Sequence, residues 1–235
     1  MGLPIQKAPK HRCKLSDGSE VTFRPFLVKE QKYLLLAKEA NSASDVLDAT
    51  KDLIMSVTDN KVNINNMPMY DLEYLFLKIR CKSIGESQNI TFRCRGRDCK
   101  ATHEEMVELD KIEIQFPNGK VDNTVQLTEE MGVTLRYPNA RQLVEADAIE
   151  LEGDRLVYLL KHGIHTIFDA ESVYDTDDIQ DAELTEFVES LSMPQVEKLN
   201  GFFENIPTLR HTVEWDCSVC SNANKATLEG LQSFF

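Results

Sequence analysis

No apolar run in the 235 residues approaches the ~18 that a membrane helix requires. The segment Met1–Arg12 carries Lys7, Lys10, His11 and Arg12 but no apolar core, so it does not read as a secretory signal. Gln6 stands where a myristoylation site needs Ser or Thr. Positive charge is also scarce: 26 Lys and Arg face 39 Asp and Glu, for a net charge of −13. DNA and anionic membranes repel such a chain, so neither nucleic acid nor membrane is expected as a partner. The phosphate-cradling, nucleophile-elbow and zinc-protease motifs are missing, as are internal repeats. No enzyme is expected. Hydrophobic residues make up 42%, enough for a core. A soluble intracellular protein of one large or two small domains is expected.

Periodicity suggests an α+β protein, with helices around a small antiparallel β region. Asp17-Gly18 signals a turn, and Val21 and Phe23 alternate as in a short strand. Residues 27–40 and 43–57 read as helices. In the second, Ser44 is a suitable N-cap, and Val46, Leu47, Leu53, Ile54 and Val57 share a face. Pro68 can open a third helix through Leu72, Leu75, Phe76 and Ile79, ending near Gly85. From Gln88 the period becomes two, through Ile90 and Phe92, Met106-Val107, Ile112 and Ile114, the turn Pro117-Asn118-Gly119, Val125, Leu127, Val133 and Leu135. Helical spacing returns over 139–205, with breaks at Gly153, Gly163, 169–178 and Pro194. Thr208–Trp215 reads as a strand and Lys225–Phe235 as an amphipathic ending. The expected organisation is a basic arm (1–20), a helical part (21–87), a β and zinc-knuckle part (88–137 with 208–235), and a helical insertion with an acidic loop (138–207).

Six cysteines are the most informative residues. Cys94 and Cys99 follow one predicted strand, and Cys217 and Cys220 follow another. A strand leading into a tight turn with two thiolates is a zinc knuckle, and two knuckles complete the tetrahedron that Zn²⁺ prefers. A structural zinc site on Cys94, Cys99, Cys217 and Cys220 is therefore expected, since four thiolates leave no position for a catalytic water. Cys13 and Cys81 lack partners at ligand spacing. His103 and His211 flank the knuckles and are fallback ligands. His162 and His165 bracket Gly163 and mark a helix end more readily than a ligand pair.

Nine acids and no Lys or Arg lie between Asp169 and Glu189. Asp175 and Asp177 open like a calcium loop, but Ile179 and Gln180 replace the oxygen ligand and the glycine that such a loop requires. The stretch is either a solvated loop or a docking face for a basic partner, centred on Asp175, Asp177 and Asp178. Leu228, Leu231, Phe234 and Phe235 add apolar weight at the end, expected to pack in the core or against a partner.

Several stretches together resemble one family: Arg24–Ala37 (RPFLVKEQKYLLLA), Asp71–Glu86 (DLEYLFLKIRCKSIGE) with the first knuckle after it, the late Cys217-x₂-Cys220, and Leu228–Phe235 (LEGLQSFF). In this order they are similar to the baseplate hub assembly proteins of T-even-like contractile-tailed bacteriophages. The resemblance implies a non-enzymatic role in forming the baseplate hub. It implies other hub proteins as partners, and a location in the host cytoplasm during assembly or in the virion tail baseplate. It transfers no catalytic residues. The rival expectation is a zinc-ribbon adaptor of nucleic-acid machinery, which the net charge disfavours.

Overall fold

The structure, a computed structural model, describes residues 8–39, 42–117, 119, 122–230 and 233. Lys7, Asn118, Leu231, Phe234 and Phe235 lie outside them. In chain order the elements are β1 (His11–Lys14), β2 (Glu20–Phe23), α1 (Val28–Glu39), α2 (Ala43–Val57), α3 (Met69–Ser83), β3 (Ser87–Arg93), β4 (Thr102–Glu108), β5 (Ile114–Gln115), β6 (Thr124–Gln126), β7 (Gly132–Leu135), α4 (Ala140–Asp147), α5 (Glu152–Gly163), β8 (Ile164–Phe168), β9 (Val173–Asp175), α6 (Asp181–Glu189), α7 (Met193–Phe203), β10 (Thr208–Asp216) and β11 (Ala223–Glu229). The fold is α+β with small antiparallel sheets. Contacts group it into two units. The first comprises 1–64, 70–115 and 208–235, and the second 65–69 and 116–207.

In the first unit α3 is the central element. Eleven of its fifteen residues are buried, more than one apolar face can supply. Leu72, Leu75, Phe76 and Ile79 are fully buried, as the spacing predicts, and so is Leu77. Three charged residues, Asp71, Glu73 and Arg80, are buried as well. Asp71 accepts from the Ser16 backbone N–H at 3.0 Å and from its hydroxyl at 2.6 Å. That contact anchors the turn of the β1–β2 hairpin. Residues 11–14 of the expected arm are thus strand β1, held against β2 by an antiparallel ladder. The predicted face of α2 is buried throughout, but its N-cap is Ser42, which accepts from the Asp45 N–H, rather than Ser44.

At the start of α1, Leu27 is the residue before the helix and Glu30 lies three positions on. The Glu30 carboxylate accepts the Leu27 N–H at 2.8 Å, which is the returning half of a capping box. The other oxygen accepts from Arg24 Nη2 at 2.7 Å and from the Ser56 hydroxyl at 2.9 Å. One carboxylate therefore ties the end of β2 to α1 and α2. Two further hairpins complete the unit. β3 pairs with β4, while β10 pairs with β11 on one side and β5 on the other. The last predicted segment, read as an amphipathic ending, forms β11 over 223–229.

The second unit is a four-stranded antiparallel sheet, β6-β7-β8-β9, with helices α4–α7. Strands β6 and β7 were expected to join the knuckle sheet. They pair instead with each other and, through β7, with β8, so residues 116–137 fall in this unit. Within the run expected to be helical, 164–168 and 173–175 are strands. Ile164, Ile167 and Phe168 sit at helical spacing, but β8 has a strand on each side and needs no strict alternation. Leu135, Leu160, Ile164, Leu199 and Phe202 are among the residues of its core. Asn139 with Gln142 and Ser192 with Gln195 form capping boxes at α4 and α7.

Candidate metal centre

The ladder of β3 and β4 ends at Arg93 and Thr102. One residue beyond, the Cys94 N–H donates to the Ala101 carbonyl at 2.9 Å. Inside this loop the Cys99 N–H donates to the Gly96 carbonyl at 3.1 Å, which folds Cys99 back toward Cys94. The β10–β11 hairpin is built alike. Its ladder closes at Asp216 and Ala223, the Cys217 N–H donates to the Asn222 carbonyl, and the Ser221 N–H donates to the Cys217 carbonyl. Ser221 takes a φ of +55° to close the turn.

These turns bring the four sulfurs of Cys94, Cys99, Cys217 and Cys220 within 4.8 Å of one another. Cys94 Sγ lies 3.6 Å from Cys220 Sγ, and Cys99 Sγ lies 3.7 Å from Cys217 Sγ. Each of these contacts joins one knuckle to the other. Sulfurs at the corners of a tetrahedron with ~2.3 Å Zn–S bonds stand about 3.8 Å apart, so the spacing suits a four-coordinate metal. All four cysteines are free thiols, with no disulfide among them. The space around them is tailored: a Cβ on Gly96 would sit 3.1 Å from Cys220 Sγ and 3.3 Å from Cys99 Cβ. The Gly96 N–H donates to Cys94 Sγ at 3.3 Å.

The electrostatics show how the cluster treats negative charge. N–H groups of Cys220 and Val219 donate to the Cys217 sulfur and bring its pKa down to about 6. Cys220 receives an N–H from Asn222, yet burial and the sulfurs of Cys94, Cys99 and Cys217 push it up to about 12. Cys99 is raised by burial and by Cys217 and Cys94, against an N–H from Ala101. The bare cluster thus favours one thiolate and resists more. A dication changes that, because each thiolate then faces positive charge. Arg93 at the end of β3, and Arg95, Arg97 and Lys100 on the first loop, stand exposed, where they would offset the net negative charge of a tetrathiolate site.

Asn224 was not foreseen. It is buried; its Oδ1 accepts the Arg95 N–H at 2.8 Å, and its Nδ2 donates to the Asn222 carbonyl at 2.7 Å. It therefore fastens the first knuckle to the second beside the sulfurs. No sequence signal separates this asparagine from an ordinary turn residue. Asn224→Ala leaves the Arg95 N–H without its partner, which costs ~1–3 kcal/mol. By analogy with other groups supporting ligands it should weaken metal binding ~10–100-fold, measurable by competition with a chromogenic chelator.

The remaining candidates are placed elsewhere. His103 stacks on Trp215 with centroids 5.5 Å apart, and its Nε2 faces Glu105 at 3.0 Å. Phe92 meets the same indole at 5.1 Å. Neither His103 nor His211 belongs to the sulfur cluster. His162 is the penultimate residue of α5 and His165 the second residue of β8. Cys13 and Cys81 are buried, and burial raises both thiols, Cys13 to about 11. Such thiols are inert. Asp175, Asp177 and Asp178 are exposed at the end of β9 and the turn after it. Asp177 makes a two-pronged pair with Arg136, at 2.7 and 3.2 Å, and Asp175 accepts the Asp177 N–H. Among the described residues no helix is long and apolar enough to cross a membrane.

The geometry defines an α+β protein in which two knuckles bring together cysteines 118 and 126 residues apart in sequence. The family model described as T4 bacteriophage base plate protein matches residues 8–235, and the chain belongs to that family. No curated protein and no solved structure matches it.

Proposed function

We propose that this base plate protein helps to form the hub of a contractile tail, as an assembly or structural protein that works through contacts with other hub proteins and without catalytic turnover. The family match along nearly the whole chain carries the proposal. Zn²⁺ is the ion assigned to Cys94, Cys99, Cys217 and Cys220, as a structural ion, because four thiol donors at tetrahedral spacing suit it and leave no open coordination position. The protein works in the host cytoplasm during assembly and ends in the virion tail baseplate.

Asp175 and Asp178 are the members of the acidic stretch offered to a basic partner, since Asp177 is engaged by Arg136. Exposed charge of this kind sets association rate more than affinity. Nothing in the family match favours the nucleic-acid adaptor.

Infection with phage carrying a null allele tests the proposal. Baseplate precursors separated by sedimentation should stop short of a complete hub, and the wild-type protein supplied in trans should restore them. Complete baseplates and normal phage yield without the protein would overturn it. Tight, salt-sensitive DNA binding by the purified protein would instead favour the adaptor.

A further inference from the structure

The two sequence stretches that most clearly carry the family resemblance converge on one groove of the first unit. The start of α1 and the end of α3 form its walls, joined where the Phe26 N–H donates to the Ser83 hydroxyl at 2.9 Å. The groove has a volume of about 430 Å³, within the range of ligand pockets. Its rim is apolar and in solvent: Val28 is 85% exposed, Ile84 63%, Leu35 55% and Leu27 43%. Single exposed apolar residues are ordinary, but four around one depression are not.

The groove also contains a charge. Arg80 lines it and is only 6% exposed. Its Nη2 donates to Gln88, while its Nε has no hydrogen-bond partner among the described residues. Burial lowers its pKa, and among the described residues no carboxylate opposes that effect. A buried guanidinium without an anion is costly unless something completes it. The neighbouring Glu30 shows how this chain treats a carboxylate that it does pair, with four donors around it.

We propose that this groove docks an apolar segment of another baseplate protein, and that a carboxylate on that segment pairs with Arg80. Charge complementarity selects the occupant: an apolar peptide alone would leave the guanidinium unpaired, and an acidic one alone would leave the rim wet. The open rim suits a segment lying across the surface better than a small molecule enclosed in a cavity. The inference rests on the hub-assembly proposal and names one of the contacts through which it would operate.

The full-length protein with Ile84 replaced by the photo-crosslinker p-benzoylphenylalanine tests this in phage-producing cells. The crosslinked peptide should come from a different baseplate protein and carry Asp or Glu beside large apolar residues. The same crosslinker at Leu151, exposed on the second unit, should not capture that peptide. Arg80→Met should cut the Ile84 crosslink at least ~10-fold, the loss expected for one charge-assisted bond, while raising the melting temperature of the free protein. Val28→Ser with Leu35→Ser changes only exposed side chains and should reduce the crosslink at unchanged melting temperature. Capture of a second copy of this chain, capture of a peptide without a carboxylate, no capture at Ile84, or yields indifferent to these variants would overturn the groove. Absence of the protein from hub precursors altogether would instead defeat the reading on which it rests.

Discussion

Cys217→Ser is expected to abolish stoichiometric zinc binding and to unfold the knuckle hairpins together. Wild-type protein purified without chelator should carry one zinc per chain, and the variant a small fraction of that. The effect should be large because a bound metal would close the contacts between Cys94 and Cys220 and between Cys99 and Cys217, 126 and 118 residues apart in sequence. Metal binding in small zinc modules is worth ~10–16 kcal/mol, comparable to the ~5–15 kcal/mol net stability of a whole domain. Chelation of the wild type should reproduce the variant. Because Cys220 and Cys99 are raised in the bare cluster, uptake of the metal must release protons, and affinity should fall as pH falls. Cys81→Ser, at a buried thiol outside the cluster, should keep the full zinc content. Fluorescence of Trp215, which stacks on His103 and meets Phe92 two residues before Cys217, reports the local loss. A variant that keeps full zinc and an unchanged melting curve would remove the ion from the structure.

The knuckles were legible because their chemistry is local. A thiol pair after a strand has few uses in a chain expected to be intracellular, where thiols stay reduced, and the spacing fixes the turn. The helix faces of α2 and α3 were legible for a similar reason: Leu53, Ile54, Leu72 and Phe76 repeat at the helical period and are fully buried. What the pattern could not show was partnership between strands. β6 and β7 alternate just as knuckle strands would, yet they pair with each other and, through β7, with β8, and alternation does not specify which neighbour a strand selects. β8 itself was hidden because Ile164, Ile167 and Phe168 satisfy the helical spacing equally well. Nor did periodicity reveal the buried charges of α3. Asp71 and Arg80 look like the polar face of a surface helix, and only tertiary structure shows one satisfied by Ser16 and the other facing a groove. Arg24 and Glu30 lie in a stretch that carries the family resemblance, and there Glu30 also makes the returning half of a capping box with Leu27 and a buried ion pair with Arg24.

Loss of the Glu30 carboxylate should produce a large stability change outside the metal centre. Its side chain is 1% exposed, against 18% for Arg24. Burial alone would raise its pKa, but Arg24, the Leu27 N–H, Ser56 and Lys29 outweigh that and bring it from 4.5 down to about 2. A shift of that size represents about 3 kcal/mol of preferential stabilisation of the ionised form in the fold. The folded value is the lower one, so this contribution is complete above pH 4.5 and is lost as pH falls toward 2. Glu30→Ala also leaves Arg24 half-buried without its anion, for a total cost of ~3–5 kcal/mol. Denaturant melts at neutral pH should show that loss. The gap between wild type and Glu30→Gln should narrow as pH falls through the same window, because protonation makes the native side chain neutral too. Glu20→Gln, in the exposed pair with Arg12, should leave the melts unchanged. If the groove docks a partner, the consequence reaches it through α1: Glu30 fixes the turn from Leu27 into α1, and Leu27 and Val28 form the groove rim. Loss of the carboxylate in Glu30→Gln should therefore weaken the Ile84 crosslink while the zinc content stays at one ion per chain. Equal stability of Glu30→Gln and wild type at neutral pH would show that the buried pair contributes nothing to the first unit.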